Sequence, residues 1–146
     1  MTDVLTYGEV AEVTKTDIPA HLEAQATPPL ITKAARQGDV NVRRIADHES
    51  VSARSGELKT YDLSIREYKV VQGDADRNSQ ILSGAGTFTP GVVTHDVADY
   101  GLLEVPEGGV AYLTHTSEHG TLAFAPGRYR VLGQLSQEEE IRRAAD

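Results

Sequence analysis

Short apolar runs, broken at nearly every step by glycine or proline, constrain this chain more than any other feature. Between Gly38 and Leu135 the breaks include the polar turn Gly73-Asp74-Ala75-Asp76-Arg77-Asn78, then Gly84, Gly86, Pro90-Gly91, Pro106-Glu107-Gly108-Gly109 and Pro126-Gly127. Glycine supplies positive φ and proline a fixed φ, so each break is a turn with a mechanism. The runs between them are too short for helices and suit strands. Candidate strands are Val40 to Ile45, Tyr61 to Ile65, Gln80 to Ser83, Gly91 to Val97, Leu102 to Val105, Val110 to Thr114, Thr121 to Phe124 and Tyr129 to Leu135. In the second of these Tyr61, Leu63 and Ile65 alternate onto one face, and a bulge or turn near Glu67 then shifts the phase to Tyr68 and Val70. Gly84-x-Gly86 reads as a hairpin turn. Many short strands at this spacing predict a mainly β fold: a compact antiparallel barrel or jelly-roll-like domain.

Three regions separate on pattern. Residues 1–37 hold few large apolar side chains and read as an extended N-terminal arm, with a β-like patch from Val4 to Val10 and a short helix starting at Asp17. Residues 38–135 form the β domain. Residues 136–146 read as a short C-terminal helix, because Ser136 and Glu139 make a capping box and Arg142 and Arg143 sit in the last turn.

Composition bounds the function. Acidic residues outnumber basic ones 22 to 14, for a formal charge of -8. A chain so charged, with no basic stripe, is expected to bind neither nucleic acid nor an anionic membrane. No apolar run approaches the roughly 20 residues of a membrane-spanning helix, and Met1-Thr2-Asp3-Val4 does not open a signal peptide, so a soluble protein made without secretion is expected. With no cysteine there is no disulfide, no thiolate metal site and no cysteine nucleophile.

Five histidines are present: His21, His48, His95, His115 and His119. His115 and His119 are spaced H-x-x-x-H, which on a helix places two imidazoles on one face for zinc. Here they lie between two strand candidates and before Gly120, so they read as loop histidines on a solvated turn. No G-x-S-x-G or G-x-x-x-x-G-K-[ST] occurs, Gly84-x-Gly86 lacks the rest of a dinucleotide fingerprint, and Asp74-x-Asp76-x-Asn78 lacks the glycine and final acid of a calcium loop.

Gln37-Gly38-Asp39-Val40, Gly91-Val92-Val93-Thr94-His95, Leu113 to Gly120, Pro126-Gly127-Arg128-Tyr129-Arg130-Val131 and the ending Ile141-Arg142-Arg143-Ala144-Ala145-Asp146 together resemble a group of small, functionally uncharacterised β-rich proteins of bacteria and their phages. Its pattern runs GEVTGHxH, then LTHEEHGxIxLxPGxYxVxxQREY. The second histidine of the family's His-x-His, which is similar to a cupin metal strand, is Val97 here, and Gln-Arg-Glu-Tyr is replaced by Gln134-Leu135-Ser136-Gln137.

A compact β module behind a long polar arm, no recognisable catalytic set and the link of the resembled group to phages together point to a non-enzymatic structural or assembly protein. The most concrete form is a capsid decoration or head-accessory protein of a tailed phage, made in the bacterial host cytoplasm and carried on the virion surface. Its expected partners are the major capsid protein or another virion protein, and copies of itself. The arm is then expected to lie along neighbouring subunits, and no catalytic residue, cofactor or metal is expected. The second reading is a cupin-like metal-binding protein or enzyme using His95, His115, His119 and either Glu118 or Glu104.

Overall fold

The computed structural model describes residues 4–14, 26–37, 40–46, 52–53, 59–71, 79–93, 99–115 and 120–133. The elements are α1 (Tyr7–Thr14), β1 (Leu30–Ile31), β2 (Ala34–Gln37), β3 (Val40–Ile45), β4 (Ser52–Ala53), β5 (Tyr61–Asp62), β6 (Tyr68–Val71), β7 (Gln80–Gly84), β8 (Thr87–Pro90), β9 (Val92–Val93), β10 (Asp99–Val105), β11 (Ala111–His115), β12 (Thr121–Phe124) and β13 (Gly127–Gly133). They form a five-stranded sheet in the order β1-β12-β11-β7-β6 and a six-stranded sheet in the order β2-β3-β13-β10-β8-β5, with β4 and β9 as a separate pair. All pairings are antiparallel except β1 with β12. The mainly β expectation holds, as a sandwich and not a closed barrel.

The sandwich follows from side-chain alternation. Val40, Val42, Phe88, Leu103, Tyr129 and Val131 from the six-stranded sheet meet Leu82, Ala111, Leu113 and Phe124 from the five-stranded one in a single buried cluster. Aromatic rings bridge the layers: Phe124 meets Tyr129 edge-on at 5.5 Å, and Tyr68 lies 4.9 Å from Phe88. The chain passes between sheets at both lateral edges, through Thr32-Lys33 on one side and Leu63–Glu67 on the other. Covalent crossings, without ladder hydrogen bonds, thus close the flanks.

Three more crossings share one end of the sandwich: Ala85-Gly86 after β7, Pro106–Val110 after β10, and Ala125-Pro126 after β12. Gly84-x-Gly86 is therefore not a hairpin turn but a passage from one sheet to the other. Gly84 and Gly86 both have positive φ, and a Cβ at Gly84 would stand 2.6 Å from the Val110 carbonyl oxygen.

Two local expectations change. Val4 to Val10 does not form a strand: Glu9 N–H donates to Thr6 Oγ1 and Thr6 N–H donates to the Glu9 carboxylate, a reciprocal capping box that opens α1. Leu5 just before the cap and Val10 in the first turn then pack together with Tyr112, Val110 and Ala123 on the outer face of the five-stranded sheet. Nor does the Tyr61 strand continue to Ile65. The Asp62 carboxylate accepts hydrogen bonds from the Ser64 N–H (2.9 Å) and hydroxyl (2.6 Å), which turns the chain at once and leaves Ile65 83% exposed.

Part of the segment read as an arm is built into both sheets. β1 pairs with β12, β2 pairs with β3, and Tyr7 N–H donates to Ala26 O at 2.9 Å. The expected helix from Asp17 and the C-terminal helix lie outside the described residues.

Candidate functional site

Of the histidines, only His115 falls within the described residues; His21, His48, His95 and His119 lie outside them, as does Glu118. His115 is not a solvated loop residue. It ends β11, is 4% exposed, and its N–H donates to Gly120 O at 2.8 Å across the β11–β12 hairpin. It shares the inward face of β11 with Ala111 and Leu113, both in the core. Glu104 cannot join it. That carboxylate is exposed at the crossover end, opposite Thr87 and Arg128, whereas His115 ends β11 about 13 Å further along the sandwich.

The structure brings different partners to His115. Gln80 is its direct cross-strand neighbour on β7 and shares the inward phase of Leu82. Gln37 enters from the opposite sheet, in phase with Ala35 on β2. Its Nε2 donates to Leu113 O (3.2 Å) and to Gly120 O (3.0 Å), the carbonyl that also receives His115 N–H. Gln37 and Gln80 are 3% and 2% exposed, and Ser79 is fully buried beside them. Both amide oxygens, Gln37 Oε1 and Gln80 Oε1, are buried without a hydrogen-bond donor. Each such acceptor costs about 1–3 kcal/mol. Sequence reasoning singles out neither as a site residue. Gln37 enters it only as the opening of the Gln37-Gly38-Asp39-Val40 element, and Gln80 only as the start of a strand candidate, a polar residue at an inward position.

The second candidate surface is the lateral edge where β5 crosses to β6. A groove of about 730 Å³ there is lined by Thr60, Tyr61, Asp62, Ile65, Arg66, Glu67, Tyr68 and Lys69. Tyr61 and Tyr68 lie 5.0 Å apart at its floor, and Lys59 Nζ stands 5.3 Å from the Tyr61 ring centre. Burial and the neighbouring Tyr61 hold the Tyr68 phenol above its ordinary pKa, and the Ser64 hydroxyl and N–H hold the exposed Asp62 carboxyl below its own. The groove is therefore an apolar and aromatic strip with fixed charges at its rim. The crossover end carries a smaller cleft, about 430 Å³, between Arg44, Arg128, Glu104 and Glu107.

These features define a two-sheet β sandwich with an interior polar end and an aromatic lateral edge. A family model described as Domain of unknown function (DUF8820) matches residues 36–134, about two thirds of the chain. The chain belongs to that family. No curated protein and no solved structure matches it.

Proposed function

We propose that this chain is a non-enzymatic assembly protein that docks through its β5–β6 edge. Its most concrete form is a capsid decoration or head-accessory protein of a tailed phage, seated in many copies on the major capsid protein or another virion protein. The carrying observation is Ile65: a large apolar side chain, 83% exposed, held by a hydrogen-bonded turn beside the Tyr61–Tyr68 pair. Water gains nothing from that arrangement, while a partner that covers it recovers the buried apolar area. Tyrosine, isoleucine and a nearby arginine form the kind of anchor that carries most of the energy of a protein interface. The resemblance to phage-linked proteins supplies the partner class. The described parts of the N-terminal segment are engaged with their own chain, so this reading rests on the edge and not on an arm.

Quantitative mass spectrometry of purified particles tests it. A copy number near that of the major capsid protein is the expected result, and the Ile65→Asp protein, melting within about 2 °C of the parent, should be lost from particles. Absence of the parent protein from particles, or full retention of Ile65→Asp, overturns the proposal.

A further inference from the structure

We propose that the interior polar end of the sandwich is a metal site, in which Gln37 Oε1, Gln80 Oε1 and a ring nitrogen of His115 hold one first-row divalent ion. Gln37 fixes the argument. Its Nε2 already donates to the carbonyls of Leu113 and Gly120, so turning the amide over would set oxygen against oxygen, and Oε1 must face away from them. There it is buried without a donor, and so is Gln80 Oε1, on the residue directly opposite His115. Buried acceptors of this kind in a folded chain call for a donor or a cation. One imidazole with amide oxygens is a donor set for an ion of the zinc, nickel or cobalt type, whose remaining positions water fills.

The three residues arrive from β2, β7 and β11, so the two sheets pre-position them. A hydrogen bond to the second ring nitrogen of His115 is compatible with ligation and orients the ring. Among the described residues no group of three histidine or acidic side chains converges anywhere. The ion's charge is therefore left uncancelled by them, and binding should be exchangeable, unlike a permanent structural zinc. The inference is independent of the docking proposal, since the edge groove shares no residue with it.

The test uses the untagged full chain, stripped with chelator and titrated with Co²⁺, followed by visible absorption and by melting temperature. One equivalent should bind with a rise in melting temperature. Gln80→Leu, which conserves volume, and His115→Gln should each weaken binding by about tenfold or more, while Glu104→Gln at the far end should not. Should His115→Gln fail to fold, Gln80→Leu decides alone. No saturable Co²⁺ binding overturns the proposal, showing that the oxygens meet water only. So does binding that Gln80→Leu leaves unchanged, which would place the ion elsewhere.

Discussion

If α1 is a cover of its own sheet, Val10→Ala must weaken the isolated chain, and Val13→Ala must not. Val10 is 1% exposed beneath the helix, whereas Val13, three residues on, is 53% exposed. Val10→Ala removes two buried carbon groups, about 1.6 kcal/mol at roughly 0.8 each. The void left against Tyr112 and Ala123 adds up to about 1 kcal/mol, and the better helix propensity of alanine returns about 0.5. The net loss is about 2 kcal/mol, or about 6 °C in melting temperature for a chain of this size. At Val13 the same propensity gain meets little lost burial, so the change should stay within about 0.5 kcal/mol. Urea and thermal melts of the purified chain read both. An arm that lies on a neighbouring subunit makes the opposite forecast, with neither variant affecting the free chain. Equal melting of Val10→Ala and Val13→Ala would refute the intramolecular docking.

Two further predictions follow from turns and phenols. Gly86 has φ +118 and an added Cβ there would collide with the Glu104 carbonyl oxygen, whereas Gly91, at φ +79, has open space around the same position. Gly86→Ala should therefore cost about 3 kcal/mol or more and Gly91→Ala about 1 kcal/mol; similar urea midpoints for the two would refute the crossing geometry. Burial raises the pKa of Tyr68, Tyr112 and Tyr129, with the Leu5 N–H bond opposing the shift at Tyr112 and the Arg44 charge opposing it at Tyr129. Above the ordinary phenol value of about 10 the unfolded chain then loses protons first, so stability is intact below that pH and falls as pH rises through the folded values. Urea midpoints measured from pH 8 to 11 should be flat and then decline, with a shallower decline for Tyr112→Phe; a midpoint that rises with alkali would refute the assignment.

The parts of the fold legible in the sequence are those where one local rule acts alone. Thr121 to Phe124 is a strand with the expected bounds, and Gln80, Leu102 and Val110 lie at or beside strands where the alternation put them. The misread segments are those where a side chain competes with the backbone pattern. Thr6 and Glu9 show the same S/T-x-x-E sequence pattern as Ser136 and Glu139, yet the valine and tyrosine content of Val4 to Val10 reads as a β-like patch, although Val4, Tyr7 and Val10 fall at a helical spacing of three. Asp62 ends β5 with its own carboxylate, a choice that apolar alternation does not record. The layer crossings were legible as turns, but not as passages between sheets. A glycine reports the φ it permits, and only the distant Val110 and Glu104 carbonyls decide where the chain goes next.

The same limit explains the site. Sequence spacing drew attention to His115 and His119 because H-x-x-x-H is a helical zinc signature, but β11 is a strand. There residues two apart share a face, so the neighbours that matter to His115 lie across the ladder and not along the chain. Across the ladder stands Gln80, 35 positions away in number, and above it Gln37 from the other sheet, bound to the same Gly120 carbonyl oxygen that closes the hairpin. Neither glutamine belongs to a ligand or catalytic spacing, although Gln37 opens the Gln37-Gly38-Asp39-Val40 element. What marks them is that an inward position, which the alternating pattern reserves for apolar groups, is held by a polar one. A buried amide placed without regard to partners is costly enough to be replaced by leucine at no loss of volume, so two of them against one histidine constrain this end of the sandwich more tightly than any motif in the chain.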